Sequence, residues 1–210
     1  MDGVGVRVAI VSALIGPHDK PKRHVVQDVD VEWLQVTEPA AHLSKRMASK
    51  VPKFRPDLFV DADVYVWIDA SIRVVSPHFA AWCVDQVGDG LVAHIRHPWR
   101  TSIIDEADAA LESQPAKYAA FDLRGQAAHY VKEGHPHDWG LWENGFGIYR
   151  NHPDVHRWGD RMLVELLRWG PHCQIAEPHV LRTTIGYPVD VDAVMRGNPY
   201  FVLIAHDRED

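Results

Sequence analysis

Val64-Tyr65-Val66-Trp67-Ile68-Asp69-Ala70-Ser71 is the stretch whose reading decides the fold. Five consecutive apolar or aromatic residues, rich in β-branched side chains, predict a strand buried on both faces, as in a parallel sheet covered by helices. The run then stops at an acid followed by two small residues. In an open α/β sheet, ligands bind beyond the carboxyl ends of the strands, which puts Asp69 where a binding carboxylate is expected. The competing reading of such an acid is a turn residue or a helix cap.

Working outward, residues 6–12 predict a first strand that opens into a loop, Ala13-Leu14-Ile15-Gly16-Pro17-His18-Asp19, punctuated by Gly and Pro. A first strand ending in a Gly-containing loop is the usual nucleotide side of a Rossmann-type sheet. The GxGxxG fingerprint is missing, which argues against a dinucleotide. Residues 31–36 predict the second strand. A helix is expected over 39–50, with Arg46 and Lys50 four apart and so on one face. That pair reads either as a solvated basic face or as two cations reaching over the sheet toward phosphates, Arg by a bidentate fork and Lys as a point charge.

Asp61-Ala62-Asp63 is literally a DxD, but it precedes the buried strand and so lies at the end away from the expected cleft. A turn role is expected there. Further strands are predicted at 72–75, 91–94 and 201–205. Ser76-Pro77 predicts a helix to about residue 87. Ser102-x-x-Asp105 resembles a capping box and opens a helix to about 112. Another helix is expected from 115 to 133, with Gly125 as its weak point. In Gly140-Leu141-Trp142-Glu143-Asn144-Gly145-Phe146-Gly147-Ile148-Tyr149-Arg150 the glycines suggest a strand in close approach to backbone or ligand. Asn151 and Pro153 then start a helix in which Val155, Trp158, Met162, Leu166 and Trp169 recur at three- to four-residue steps, so its tryptophans read as core. From Cys173 onward the chain reads as irregular, with one short helix around 178–184.

The expected fold is therefore α/β: one Rossmann-type domain over residues 1–210, with a mostly parallel mixed central sheet flanked by helices. The formal charge of −7 argues against stable binding to duplex nucleic acid, which needs a basic surface. No apolar run approaches the roughly 20 residues of a membrane span. The start of the chain carries no basic region and cleavage site, and Cys83 and Cys173 are too few for a disulfide framework. The expected compartment is the cytoplasm. His135-Pro136-His137-Asp138 invites a metal-site reading, but its spacing fits no hydrolase motif.

Five segments in order resemble one family. They are Arg46-x-x-x-Lys50; Trp67-Ile68-Asp69-Ala70-Ser71; His97-Pro98-x-Arg100 with Glu106; Gln126-x-x-x-Tyr130-x-x-x-Gly134-x-Pro136; and Gly140-Leu141-Trp142-Glu143 leading to Ile148-x-Arg150-x-His152. Spanning roughly residues 45–175, this arrangement is similar to the glycosyltransferase-like proteins that include the plant turgor-regulation-defect and mucilage-related proteins, formerly a domain of unknown function. The resemblance implies a GT-A-type fold, a nucleoside-diphosphate-sugar donor (UDP- or GDP-linked), a hydroxyl-bearing acceptor, and Mn²⁺ or Mg²⁺.

On that implication Asp69 holds the cation, with Ser71 and His206 as further ligands, and Ala70 and Ser71 lie against the donor. Ala13, Ile15 and Gly16 would hold the base and ribose, and Arg46 and Lys50 the phosphates. His97, Arg100, Glu143, Asn144 and Gln174 fall on the sugar and acceptor side, with Asp69, Glu143 and Arg100 as the catalytic set. Glu143 serves as base if the reaction inverts. Two departures stand out. Ser71 replaces the second acid of a full DxD, and Cys173-Gln174 stands where relatives commonly carry Asp-Gln. The first departure keeps a second function open, a catalytically silent nucleotide-sugar or glycan-binding protein. The histidine-rich loop keeps a third, a metal-dependent hydrolase.

Overall fold

The computed structural model describes residues 5–15, 21–40 and 42–204. In chain order, β1 (Val8–Ala13) and β2 (Val31–Val36) precede two short helices, α1 (Lys45–Ala48) and α2 (Lys50–Phe54), and a 3-10 turn at Pro56–Leu58. β3 (Val64–Ile68) and β4 (Ile72–Val74) lead to α3 (Phe79–Val87) and β5 (Val92–His94). Three helices follow, α4 (Ile103–Ser113), α5 (Pro115–Tyr118) and α6 (Leu123–Lys132), before β6 (Phe146–Arg150). The last elements are α7 (Pro153–Trp169), α8 (Cys173–Thr184), β7 (Val189–Asp190) and β8 (Phe201–Leu203).

Six strands form a mixed sheet in the order β2-β1-β3-β6-β5-β7. β1 runs parallel to β2 and β3, and β7 parallel to β5, while β6 is antiparallel to both its neighbours. β3 lies inside this sheet and all five of its residues are buried. Its alternation divides them between two cores, as the two-residue period of a strand requires. Tyr65 and Trp67 join the side built on α2, α4, α6, α7 and α8. Val64, Val66 and Ile68 join the side built on α3, β4 and β8. The mostly parallel mixed sheet flanked by helices is as expected.

Several boundaries differ from the sequence reading. The helix expected over 39–50 starts only at Lys45, where the Ser44 hydroxyl accepts from the Met47 N–H at 3.3 Å, and it breaks at Ser49 before α2. The helix expected over 115–133 is two helices. Asp122 caps the second by accepting from the Gly125 N–H at 2.8 Å, so Gly125 sits in a first turn rather than at a mid-helix weak point. The irregular stretch expected after Cys173 is instead the 12-residue α8, continuous through Pro178. Burial of every residue from Ile175 to Leu181 outweighs the one backbone bond that proline removes. β8 pairs with β4 in a separate two-stranded ribbon, and the edge strand β7 was too short to leave a period in the sequence. Ser102 caps α4 as expected, accepting from Ile104 and Asp105. Among the described residues no helix is long and apolar enough to cross a membrane.

α7 carries the expected buried stripe, with Trp158 and Met162 fully enclosed. Where it crosses α2, Gly159 lies so close that a Cβ would stand 2.0 Å from the Phe54 carbonyl oxygen. Helix propensity favours Ala over Gly by about 1 kcal/mol, yet here the methyl group must push two packed helices apart. Gly159→Ala is therefore expected to destabilise the protein by about 1–3 kcal/mol, read as a lower urea midpoint. A gain in stability would mean that α2 and α7 do not cross this closely.

Candidate active site

Asp69 sits at the carboxyl end of β3. Its backbone is fixed by Asp69 N–H to Gly145 O and Ile72 N–H to Asp69 O, both 2.8 Å. The Trp67 indole N–H donates to Asp69 Oδ1 at 2.8 Å, which orients the carboxylate. The other oxygen faces Gly145, where a Cβ would come within 3.5 Å of it. In front lies a cleft of about 890 Å³. Because β6 runs antiparallel, its amino end meets the carboxyl ends of β3 and β5 on one edge of the sheet. Residues from three strand ends thereby converge.

Nine of the site residues expected from sequence line this cleft: Asp69, Ser71, Arg46, Lys50, His97, Arg100, Glu143, Asn144 and Gln174. Ala13 and Ile15 do not. β1 extends through Ala13, and both side chains are buried in the apolar core, while the Leu14 N–H between them donates to Val36 O at 2.8 Å. Ala70 is half-buried and off the cleft wall. Gly16 and His206 lie outside the described residues.

The cleft is strongly cationic inside a chain of net charge −7. Arg46, Lys50, Lys53, Arg96, Arg100, Lys117 and Arg196 line it against three carboxylates, Asp69, Glu106 and Glu143. The Lys117 amine is held below its ordinary pKa by desolvation and by the like charges of Arg46 and Lys50. The first residues of α8, Cys173 and Gln174, also form the wall, and no side chain caps that helix. Its free N–H groups and dipole add to the positive potential. This is an environment for an anion with several oxygens, such as a diphosphate.

Below the floor runs a buried polar network that the sequence reading missed. Lys53 is buried and its Nζ donates to Asn144 O, with Cys173 Sγ 3.7 Å away. Asn144 Nδ2 donates to Glu177 Oε2 at 2.6 Å. Glu177 Oε1 lies 3.1 Å from His94 Nε2, and His94 Nδ1 lies 3.1 Å from Phe146 O. Burial alone would lower the Lys53 pKa; Cys173, Asp69 and Glu177 outweigh it and hold the amine above its ordinary value. The network thus ties α2, α8 and β5 to the loop that carries Glu143 and Asn144. Gly147 leaves the room it needs, since a Cβ there would stand 2.7 Å from His94 Cε1. The available signal was the spacing of Arg46, Lys50 and Lys53, one helical face in sequence.

Two carboxyl groups differ in their surroundings. Glu106 accepts from Arg100 Nε at 2.7 Å and faces His172 Nε2 at 3.1 Å. Burial pushes its pKa up, but His172 and Arg100 more than reverse this and keep it ionised. Glu143 has no such partner. Desolvation and the nearby Glu106 charge raise its pKa, which is how a protein poises a carboxylate for proton transfer. His97 is kept neutral by burial and by Arg100.

The literal DxD lies at the opposite end of the sheet. Arg7 pairs with Asp61 at 2.7 Å and with Asp63 at 3.0 Å, tying the starts of β1 and β3. The histidine loop is also elsewhere. His135 is buried against Trp139 and His179, its pKa pushed down by burial to about 4, and His137 is exposed. Among the described residues no three His, Cys, Asp or Glu gather to hold a metal.

No protein-family model matches the sequence, and no curated protein matches it. Among solved structures, the chain is similar to a glycosyltransferase involved in the glycosylation of the major capsid of PBCV-1, with 7% identity and a TM-score of 0.39 over 76% of this chain and 66% of that one. It is also similar to the WbbM bifunctional glycosyltransferase in its apo structure, with 15% identity and a TM-score of 0.43 over 91% of this chain. The chain spans 66% of the length of the first and 39% of the second.

Proposed function

We propose that the protein transfers a sugar from a UDP- or GDP-linked donor to a hydroxyl acceptor. The observation that carries this reading is the cationic cleft set against an oriented carboxylate at a strand end. The donor diphosphate lies along Arg46, Lys50 and Lys117 and against the open amino end of α8. For a divalent cation the described residues offer Asp69 and the Ser71 hydroxyl. That set suits Mg²⁺ or Mn²⁺ bound chiefly through one carboxylate, with substrate phosphates and water as the remaining ligands. When bound, such a cation neutralises charge on the departing diphosphate.

In the reaction, the acceptor oxygen forms a bond to the anomeric carbon as the bond from that carbon to the diphosphate oxygen breaks. Fixed positive charge that needs no reorganisation stabilises the diphosphate as it leaves. Arg100, held by Glu106, and Asn144, held by Glu177, keep the sugar in place. Glu143 takes the acceptor proton in an inverting reaction. Nucleotide release from a panel of UDP- and GDP-sugars, with and without Mn²⁺, tests the whole reading. Donors that raise the melting temperature but are never turned over would mark a binding protein instead.

Glu143 also gives a pH dependence. A general base works only when ionised, so kcat/KM falls as pH drops through its pKa. Because that pKa is raised, the acid limb is expected above the ordinary carboxylate value of about 4.3. Glu143→Gln is expected to remove the limb and lower kcat by about a hundredfold or more. A variant that keeps both rate and profile rules Glu143 out as the base.

A further inference from the structure

Trp99 is 83% exposed, while the other seven tryptophans are buried or half-buried. It stands on the wall of the Asp69 cleft. An exposed indole on a loose loop would carry little meaning, but this loop is fixed. The His97 N–H donates to Leu141 O at 2.9 Å. His97 Nδ1 accepts from the N–H groups of Trp99 and Arg100, at 3.2 and 2.9 Å. Arg100 is in turn anchored on Glu106. The His97 ring meets the indole edge-on, with centroids 5.8 Å apart. The fold therefore holds a large apolar face open at a set angle, and a ligand that covers it pays little ordering entropy.

We infer that Trp99 is the stacking platform for a saccharide ring of a carbohydrate acceptor. A pyranose has an apolar C–H face and a hydroxyl edge. The first matches an indole, and the second needs the charged donors and acceptors that Arg100, Arg196 and Glu143 supply in the same cleft. A nucleobase also stacks on aromatic rings, and the sheet order decides against it. The nucleoside belongs toward the β1 side of the sheet, whereas Trp99 follows β5, two strands beyond β3 on the other side. The acceptor role rests on the transfer reading above; the sugar-stacking role does not.

The test is calorimetric titration of maltotriose, cellotriose, mannotriose and chitotriose into wild type, Trp99→Ala and Trp99→Phe, each with Mn²⁺ and UDP or GDP present and absent. At least one trisaccharide is expected to bind wild type, about tenfold more weakly to Trp99→Ala, with most affinity restored in Trp99→Phe. UDP and GDP affinity should be the same in all three. Failure of every trisaccharide to bind, or equal binding to Trp99→Ala, overturns the inference. Loss of UDP or GDP affinity in Trp99→Ala also overturns it, by placing the base on the indole. Trisaccharide binding that depends on Trp99 in a protein that binds neither nucleotide upholds the platform and refutes the donor reading.

Discussion

Asp69→Ala is expected to lower the transfer rate by about 100- to 1,000-fold while the protein stays folded. The carboxylate is half-buried and faces the cleft, and among the described residues its one side-chain hydrogen bond comes from the Trp67 indole. Removing it therefore costs the core little. What is lost is, among the described residues, the carboxylate that stands at the carboxyl end of β3 and faces the cleft, the group that the proposed function sets against the donor's phosphates. Asp69→Asn separates charge from shape, because the amide oxygen still accepts from Trp67. A similar loss in both variants assigns the effect to charge. Undiminished metal-dependent turnover in Asp69→Ala would remove the central residue of the site.

The largest effect on stability is expected at Lys53. Its ammonium is enclosed with the Asn144 carbonyl and stands in the field of Glu177, Asp69 and the Cys173 sulfur. Lys53→Met fills the space but leaves the fully buried Glu177 carboxylate and the Asn144 carbonyl without the ammonium. Breaking a buried charge pair from one side costs about 3–5 kcal/mol, a large share of the stability of a domain this size. Glu177→Gln should be costly for the mirror reason, and the double variant should lose less than the sum of the two. Urea unfolding of all four proteins measures this. A Lys53→Met variant within about 1 kcal/mol of wild type would show that no compensated charge resides there.

Strand periodicity made the scaffold legible. β3 carries its burial on both faces in its own composition, and Asp69 follows as the residue where that composition stops. Of the cleft residues, Arg46 and Lys50 could be named from their four-residue spacing, whereas His97, Arg100, Glu143, Asn144 and Gln174 come through the family resemblance. Other features were hidden for physical reasons. Lys53 looks like a surface lysine until tertiary structure supplies Asn144 and Glu177 from segments about 90 and 120 residues away. α8 was masked by Pro178, whose local penalty is met by long-range burial. Ala13 and Ile15 look like loop residues because Gly16 follows them, yet Ala13 ends β1 and both are buried in the core. Trp99 reads as one tryptophan among eight; only its exposure sets it apart.

The most direct test of the site is a crystal soaked with Mn²⁺ and UDP or GDP, with data collected at the manganese absorption edge. The expected result is an anomalous peak beside Asp69, with the diphosphate between it and the Arg46, Lys50 and Lys117 cluster. A peak at the His135 loop, or a nucleotide bound away from Asp69, would contradict the assignment of this cleft to a sugar-nucleotide donor.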